Sequence, residues 1–156
     1  MGIFGGGQKQ DYTLVIETDN TDKILGELDE AIDRALEAVG MAASDYAAAK
    51  CPVDTGLLRN SITYALHGKG AAIETYESNE TSKRTGKTVK KKTGSYSGTA
   101  PDDEKAVFVG SNVEYAGYVE YGDSGGTPRP FLKPAIMDHK EEYKRLVEDA
   151  LKGFGN

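Results

Sequence analysis

A single long helical pattern, from Asp22 to Ala49, most constrains how this chain can fold. Apolar residues recur there at the spacing of an amphipathic helix, and acidic residues occupy much of the other face. The apolar positions are Ile24, Leu25, Leu28, Ile32, Leu36, Val39, Ala43, Tyr46 and Ala47. At about 1.5 Å per residue the helix is on the order of 40 Å long, so we expect it to lie across a sheet as the main core element.

Length and composition indicate one domain. The chain has 156 residues, of which 38% are hydrophobic, enough for a single core. Residues 1–10 are glycine-rich, so we expect a flexible segment before one domain over residues 11–156. No apolar run approaches the roughly 20 residues of a membrane helix, and the start does not resemble a signal peptide. With Cys51 as the single cysteine, we expect a cytoplasmic protein with no membrane partner.

Short β-patterned segments flank the long helix. Alternation predicts a strand from Tyr12 to Glu17 and another from Leu58 to Leu66, with a turn at residues 51–56 between helix and strand. Residues 67–70 predict a hairpin turn, and residues 71–76 the returning strand.

Residues 77–104 form a polar, basic insert, with Val89 almost its only aliphatic residue. We interpret it as a long hairpin or as a mobile loop between paired strands. Between residues 83 and 100 no acid separates its cations, which are Lys83, Arg84, Lys87, Lys90, Lys91 and Lys92. The rest of the molecule is therefore more acidic than the net charge of -6 indicates, and an acidic body binds DNA phosphates poorly.

The stretch from Val107 to Pro134 combines a strand with a short aromatic helix. Residues 107–109 alternate as in a buried strand. Tyr115 and Tyr118 share one face of a short helix, which Gly122 would end.

A proline-bracketed segment follows that helix. Pro128 and Pro130 hold Arg129 and Phe131 in an extended conformation, which predicts an aromatic anchor for a protein partner. Glu120 either pairs with Arg129 across the glycine-rich loop or faces water.

The C-terminal part predicts a second helix, from Phe131 to Phe154. Its apolar stripe consists of Leu132, Ile136, His139, Tyr143, Leu146, Val147, Ala150 and Leu151. The predicted fold class is α+β: a small, mainly antiparallel sheet packed by one long helix in the N-terminal half and a C-terminal helix, with a long inserted loop.

No arrangement of residues indicates an enzyme. His67 and His139 are far apart and lack metal-ligand spacing. Ser61, Ser111 and Cys51 have no neighbouring base or strained elbow that would activate a nucleophile. We therefore predict no catalytic residue, no metal and no cofactor.

Several short motifs, taken in their order along the chain, indicate a family resemblance. They are Pro52-Val53-Asp54-Thr55-Gly56-Leu57-Leu58-Arg59-Asn60-Ser61-Ile62, Tyr115-Ala116, Glu120-Tyr121-Gly122 and Pro130-Phe131-Leu132-Lys133-Pro134-Ala135. In order and spacing, from about Ile24 to Leu151, the chain resembles the neck or tail-completion proteins of long-tailed double-stranded DNA bacteriophages. Within the first motif, the family and turn positions are Pro52, Asp54, Thr55, Gly56, Leu58 and Arg59.

The resemblance implies a structural virion protein at the head-tail junction, assembled in the bacterial host cytoplasm. It implies a ring around the DNA channel, with six copies because tails have sixfold symmetry. The implied partners are further copies of the chain, head-connector and tail proteins, and DNA that passes through the lumen without sequence recognition. Candidate subunit or partner contacts are Tyr115, Ala116, Tyr118, Glu120, Gly122, Arg129, Pro130 and Phe131.

Two alternatives stay open. The first is a tail terminator or minor tail protein, which has a different neighbour. The second is a small nucleic-acid-binding module that uses the cations of the insert. Those cations contact DNA or an acidic partner surface, or they only keep a solvated loop soluble.

Overall fold

The computed structural model describes residues 21–154 and shows an α+β fold. Its helices are α1 (Thr21–Lys50), α2 (Leu57–Ser61), α3 (Ala116–Tyr121), α4 (Leu132–Met137) and α5 (Lys140–Leu151). Its strands are β1 (Thr63–Leu66), β2 (Thr75–Glu77), β3 (Thr93–Ser95) and β4 (Val107–Gly110). The expected flexible segment 1–10 and the predicted strand from Tyr12 to Glu17 lie outside the described residues.

The long helix is confirmed as α1, and it lies across β1 and β4. Small residues are prominent among its buried positions, which include Ala31, Ala35 and Ala43. A Cβ atom added at Gly40 would lie 2.7 Å from the Tyr64 ring on β1 and 2.7 Å from a methyl of Val107 on β4. The helix therefore approaches the sheet closely only because position 40 has no side chain.

The sheet differs from the prediction in its pairing. β1 pairs antiparallel with β4, from Thr63 opposite Gly110 to Leu66 opposite Val107. His67 extends this pairing by donating its backbone N–H to Ala106 at 3.0 Å. The predicted turn does form, since the Lys69 N–H donates to the Leu66 carbonyl at 3.0 Å, and the Ala72 N–H then donates to the Tyr64 carbonyl at 2.8 Å. The prediction that residues 71–76 form the partner strand of β1 is wrong, because that partner is β4 and residues 75–77 pair with β3.

Two predicted elements are also divided differently. The strand predicted from Leu58 begins as the short helix α2, in which Leu58 is buried, and the chain becomes extended at Ile62, just before β1. The predicted C-terminal helix is two helices, because the chain leaves helical geometry at His139. There the His139 ring stacks on Tyr46 of α1 with ring centroids 3.5 Å apart.

The main core forms where the C-terminal end of α1 meets the other helices. Its members are Ala47, Cys51, Leu58, Ile62, Ala116, Phe131 and Ala135. α5 packs along α1 from this core toward the start of α1. The segments that carry the candidate site residues surround this core.

Candidate partner-binding surface

Asp54, in the turn after α1, fastens the insert to the body of the molecule. Its carboxylate accepts hydrogen bonds from the Ser82 hydroxyl and, at 3.2 Å, from the backbone N–H of Arg84. Its carbonyl accepts the N–H of Lys83 at 3.0 Å. The hydrogen bond from Ser82, followed by that from the Arg84 backbone, lowers the pKa of Asp54. Asp54 thus anchors the insert as well as shaping the turn.

The other residues of this motif have structural positions around the same turn. Gly56 has a φ of 82°, a conformation that favours glycine, and it begins α2. The Thr55 carbonyl accepts the N–H of Asn79 in the insert at 2.6 Å. Leu58 belongs to the core, and the Arg59 side chain contacts the amide oxygen of the next residue at 3.4 Å.

Most of the insert, residues 77–95, is arranged as a hairpin. β2 and β3 pair antiparallel at its base, and Thr81 forms a bridge with Thr88 farther out. Ser78 and Ser82 are buried, Ser78 by pairing with Lys92 across the hairpin and Ser82 against Asp54 of the turn. The sequence allowed either a long hairpin or a mobile loop here. The backbone forms a hairpin, and the mobility of this segment stays a prediction.

All six cations of the insert are exposed: Lys83, Arg84, Lys87, Lys90, Lys91 and Lys92. Lys91 Nζ lies 2.8 Å from a carboxylate oxygen of Glu77, and this contact raises the pKa of Lys91. The Arg84 guanidinium lies 3.9 Å from Asp54. The insert therefore presents a positive surface that only partly pairs within the chain.

The short aromatic helix is confirmed as α3. Tyr118 and Tyr121 are 65% and 80% exposed, while Ala116 and Glu120 on the other side are buried. Gly122 ends α3 as predicted, with a φ of 76°. The helix holds an aromatic face toward solvent because its opposite face is fixed to the core.

Glu120 caps α4 from a distance. Its carboxylate accepts the backbone N–H groups of Phe131, Leu132 and Lys133 at 2.8, 2.9 and 2.8 Å. These are the donors that the start of a helix leaves unpaired. The suggested pair with Arg129 is therefore replaced by a backbone cap.

Phe131 is a core residue of the folded monomer. Its side chain is 0% exposed and lies within the hydrophobic cluster of the same chain. Pro130, directly before it, is exposed. The expectation that the Phe131 ring anchors a partner is not supported, since the ring has no surface left to offer.

A cleft of about 420 Å³ lies between the turn and α3. We call it the arginine cleft, because Arg84 and Arg129 line it together with residues 52–58, Tyr115 and Val119. Arg129 is positioned there by a 2.8 Å hydrogen bond from its backbone N–H to the Val119 carbonyl. The cleft brings together family-motif residues, insert and proline-bracketed segment, which are distant in the sequence.

A second groove, of about 470 Å³, lies between β4, α3 and α4. Its walls are largely apolar and include Val109, Tyr121, Leu132, Ile136 and Met137. Ile136 is exposed although it belongs to the predicted apolar stripe, and Met137 beside it is exposed as well.

The residues weighed as nucleophiles or ligands have structural roles. Cys51 is buried, and burial raises the pKa of its thiol to about 11. The Ser61 hydroxyl donates to the Leu58 carbonyl at 2.6 Å and contacts the Ser111 hydroxyl at 2.6 Å. His139 stacks on Tyr46.

His67 has a setting that the sequence did not reveal. Its two ring nitrogens each lie 2.8 Å from a carboxylate oxygen, one of Asp102 and one of Asp33 on α1. Hydrogen bonds to Asp102 first and Asp33 second raise the pKa of His67. Lys105 and Lys69 approach Asp33 at 3.5 and 3.9 Å, so the site is a charge network that joins α1 to the end of β1.

Within residues 21–154, no group of three or more His, Cys, Asp or Glu side chains is placed to hold a metal ion. Over the same part of the chain, no helix combines the length and the apolar character needed to span a bilayer.

Comparison with known proteins gives one match. The model of the family described as "Bacteriophage HK97-gp10, putative tail-component" matches residues 18–122. These residues run from just before α1 to the end of α3 and include the turn motif, the insert and both strand pairs. No curated protein and no solved structure matches the chain.

Proposed function

Because the chain belongs to the HK97-gp10-like family of bacteriophage tail components, we propose that it forms a ring at the head-tail junction, as a neck or tail-completion protein. Family membership makes it a structural protein of the phage virion, which contacts other virion proteins. In the proposed ring, six copies surround the channel through which DNA passes, between the head connector and the tail.

The exposed face of α3 is the observation that carries this proposal. Tyr118 and Tyr121 on α3 are exposed, as is Tyr115 directly before it, and Ile136 and Met137 extend the apolar surface beside Tyr121. Aromatic and Met side chains are enriched at protein interfaces, and a contiguous exposed set of them marks an interaction site. Subunit or neighbour contacts through this surface would bury it.

Charge supports a channel that does not hold DNA tightly. The net charge of -6 includes the six cations of the insert, so the body that remains is strongly acidic. An acidic lumen repels phosphates and lets DNA pass without sequence recognition. The basic insert then faces away from the lumen, toward a neighbouring protein.

Gene deletion and complementation test this proposal. Without the protein we expect filled heads and tails of normal length that fail to join, as seen by negative-stain electron microscopy. Expression of the wild-type chain should restore joined particles, with the protein in purified virions. Normal virions that lack the protein would overturn the proposal.

The same images distinguish a tail terminator. A terminator sits at the end of the tail tube, so its loss leaves tube growth unchecked and gives tails of irregular length. Unjoined tails of uniform length therefore favour the neck role.

The exposed cations of the insert favour one further candidate, a nucleic-acid-binding module. Such a module would bind DNA with an affinity that falls steeply with salt, and deletion of residues 83–92 would abolish that binding. The acidic body argues for the virion role.

A further inference from the structure

The arginine cleft is suited to a partner that is both apolar and acidic. The side chains of Val53, Leu57, Tyr115 and Val119 supply apolar walls. Arg129 lies at the cleft with no acidic side chain within 4.0 Å in the described part of the chain. Arg84 lies 3.9 Å from the Asp54 carboxylate, which also lines the cleft, and it continues the positive charge from Arg129 into the exposed cations of the insert.

A surface of this description lies at the start of α1. Residues 22–27, which we call the α1 tip, are all exposed at the start of the helix. Ile24 and Leu25 are 51% and 52% exposed, although the helical pattern predicts them on the core-facing stripe. Asp22 and Glu27 flank them on the same two turns. Lys23 also belongs to the tip and lies 4.0 Å from Glu27, so the α1 tip is an apolar pair flanked by two acids and one lysine, with a net negative charge.

A monomer cannot bring these two surfaces together. The cleft begins at Pro52, just after α1 ends at Lys50, whereas the α1 tip is at the other end of the same helix. At about 1.5 Å per residue, roughly 40 Å of helix separates them. Only a second copy can place its α1 tip in the cleft.

We propose that the α1 tip of one copy docks in the arginine cleft of the next copy. This inference rests on the proposed ring, and it specifies the surfaces through which neighbouring copies make contact. Ile24 and Leu25 enter the apolar part of the cleft, and Asp22 and Glu27 face Arg84 and Arg129. The two surfaces differ and lie at opposite ends of one helix, so the contact is head-to-tail, the type that forms a ring when the rotation between copies closes.

Matched charge reversals test this contact. Glu27→Lys changes the α1 tip and Arg129→Glu changes the cleft, while Glu141→Lys and Lys144→Glu make the same changes on α5. Self-association of the full chain is measured by sedimentation velocity over a concentration series at about 50 mM salt, where charge pairs are weakly screened. We expect each of the first two variants to weaken association at least about tenfold and each α5 control to change it less than about threefold.

The mixture of Glu27→Lys and Arg129→Glu gives a second readout. Each reversed charge can face the other there, so association should recover toward the wild-type value, whereas general misfolding would not be rescued. Association unaffected by both variants would overturn this contact while leaving a ring built on another face. A wild-type chain still monomeric at about millimolar concentration would also overturn it.

The proposed function is decided separately, by the particles formed after gene deletion. If only Arg129→Glu has an effect, and that effect is loss of salt-sensitive DNA binding, the cleft contacts nucleic acid and the subunit contact is wrong.

Discussion

The carboxylate of Glu120 accepts a hydrogen bond of 2.8 Å from the backbone N–H of Phe131, eleven residues later in the chain. The same carboxylate takes the next two N–H groups, so one buried side chain on α3 fixes the start of α4. This relationship places Phe131 in the core and sets the angle between the exposed tyrosine face and the C-terminal helices.

Glu120→Gln should destabilise the protein by about 2 to 3 kcal/mol, because a neutral amide accepts these hydrogen bonds less strongly and its own N–H₂ faces donors. Burial raises the pKa of Glu120, but the N–H groups of Leu132, Phe131 and Lys133 outweigh burial and hold it below 4.5. The wild type should therefore lose stability as pH falls below 4.5, and the variant should lose this part of the pH dependence. Urea unfolding at several pH values measures the loss of stability and its pH dependence. Glu104→Gln, at an exposed position, is the control.

Phe131→Ala should destabilise the monomer by about 3 to 5 kcal/mol, since it leaves a cavity at a fully buried position. Phe131→Leu should cost less, about 1 to 2 kcal/mol. Tyr121→Ala, at an exposed position, should stay within about 0.5 kcal/mol of the wild type. Chemical denaturation distinguishes these outcomes, and a Phe131→Ala protein of wild-type stability would contradict the burial of the ring.

Gly40→Ala and Gly26→Ala should have opposite effects, although both lie within α1. Alanine favours helix over glycine by up to about 1 kcal/mol, and nothing lies within 4 Å of a Cβ at position 26, so Gly26→Ala should stabilise the protein. At position 40 the Cβ would press on Tyr64 and Val107, so Gly40→Ala should destabilise by about 1 to 3 kcal/mol. Thermal unfolding of the two variants checks this, and equal shifts would contradict the close packing of α1 on the sheet.

Elements with a strong local period could be predicted from the sequence. α1, β4, α3 and the end of α3 at Gly122 all follow from periodicity and turn chemistry over a few residues. α2 was missed because Leu58 and Ile62 are four residues apart, a spacing that fits one face of a helix as well as one face of a strand. The partner of β1 was missed because pairing with β4 depends on packing under α1, which no local pattern encodes.

The sequence likewise predicts some features of the candidate site and not others. The exposed cations of the insert and the exposed tyrosines could be predicted, because a run of charge or aromatic residues is visible in the sequence. The cap that Glu120 provides and the hold of Asp54 on Ser82 could not, because each joins side chain and donor across 11 to 28 residues. Phe131 was assigned to a partner for a related reason: proline brackets fix the backbone but do not say which surface the ring meets.

His67→Gln should make stability less dependent on pH near neutrality. Both ring nitrogens contact carboxylates, which only accept hydrogen bonds, so the folded protein favours the doubly protonated ring. Because its folded pKa lies above the ordinary 6.5, the contribution is complete below pH 6.5 and is lost as pH rises through the folded value. The wild-type free energy of unfolding should fall over that interval, and the variant should lack this fall. His139→Gln, which keeps the His67 network, is the control.

Asp54→Asn should loosen the insert without unfolding the body of the protein. The amide keeps one acceptor but loses the charge that draws the Ser82 hydroxyl and the Arg84 N–H. Hydrogen exchange of the full chain should therefore speed up most at residues 82–84, while α1 and the β1–β4 pair keep wild-type protection. Wild-type exchange in the same experiment tests the predicted mobility, since an insert held only by fluctuating contacts would exchange as fast as in the variant. Equal acceleration in α1 would show that Asp54 supports the whole fold, and unchanged exchange at residues 82–84 would remove it as the anchor.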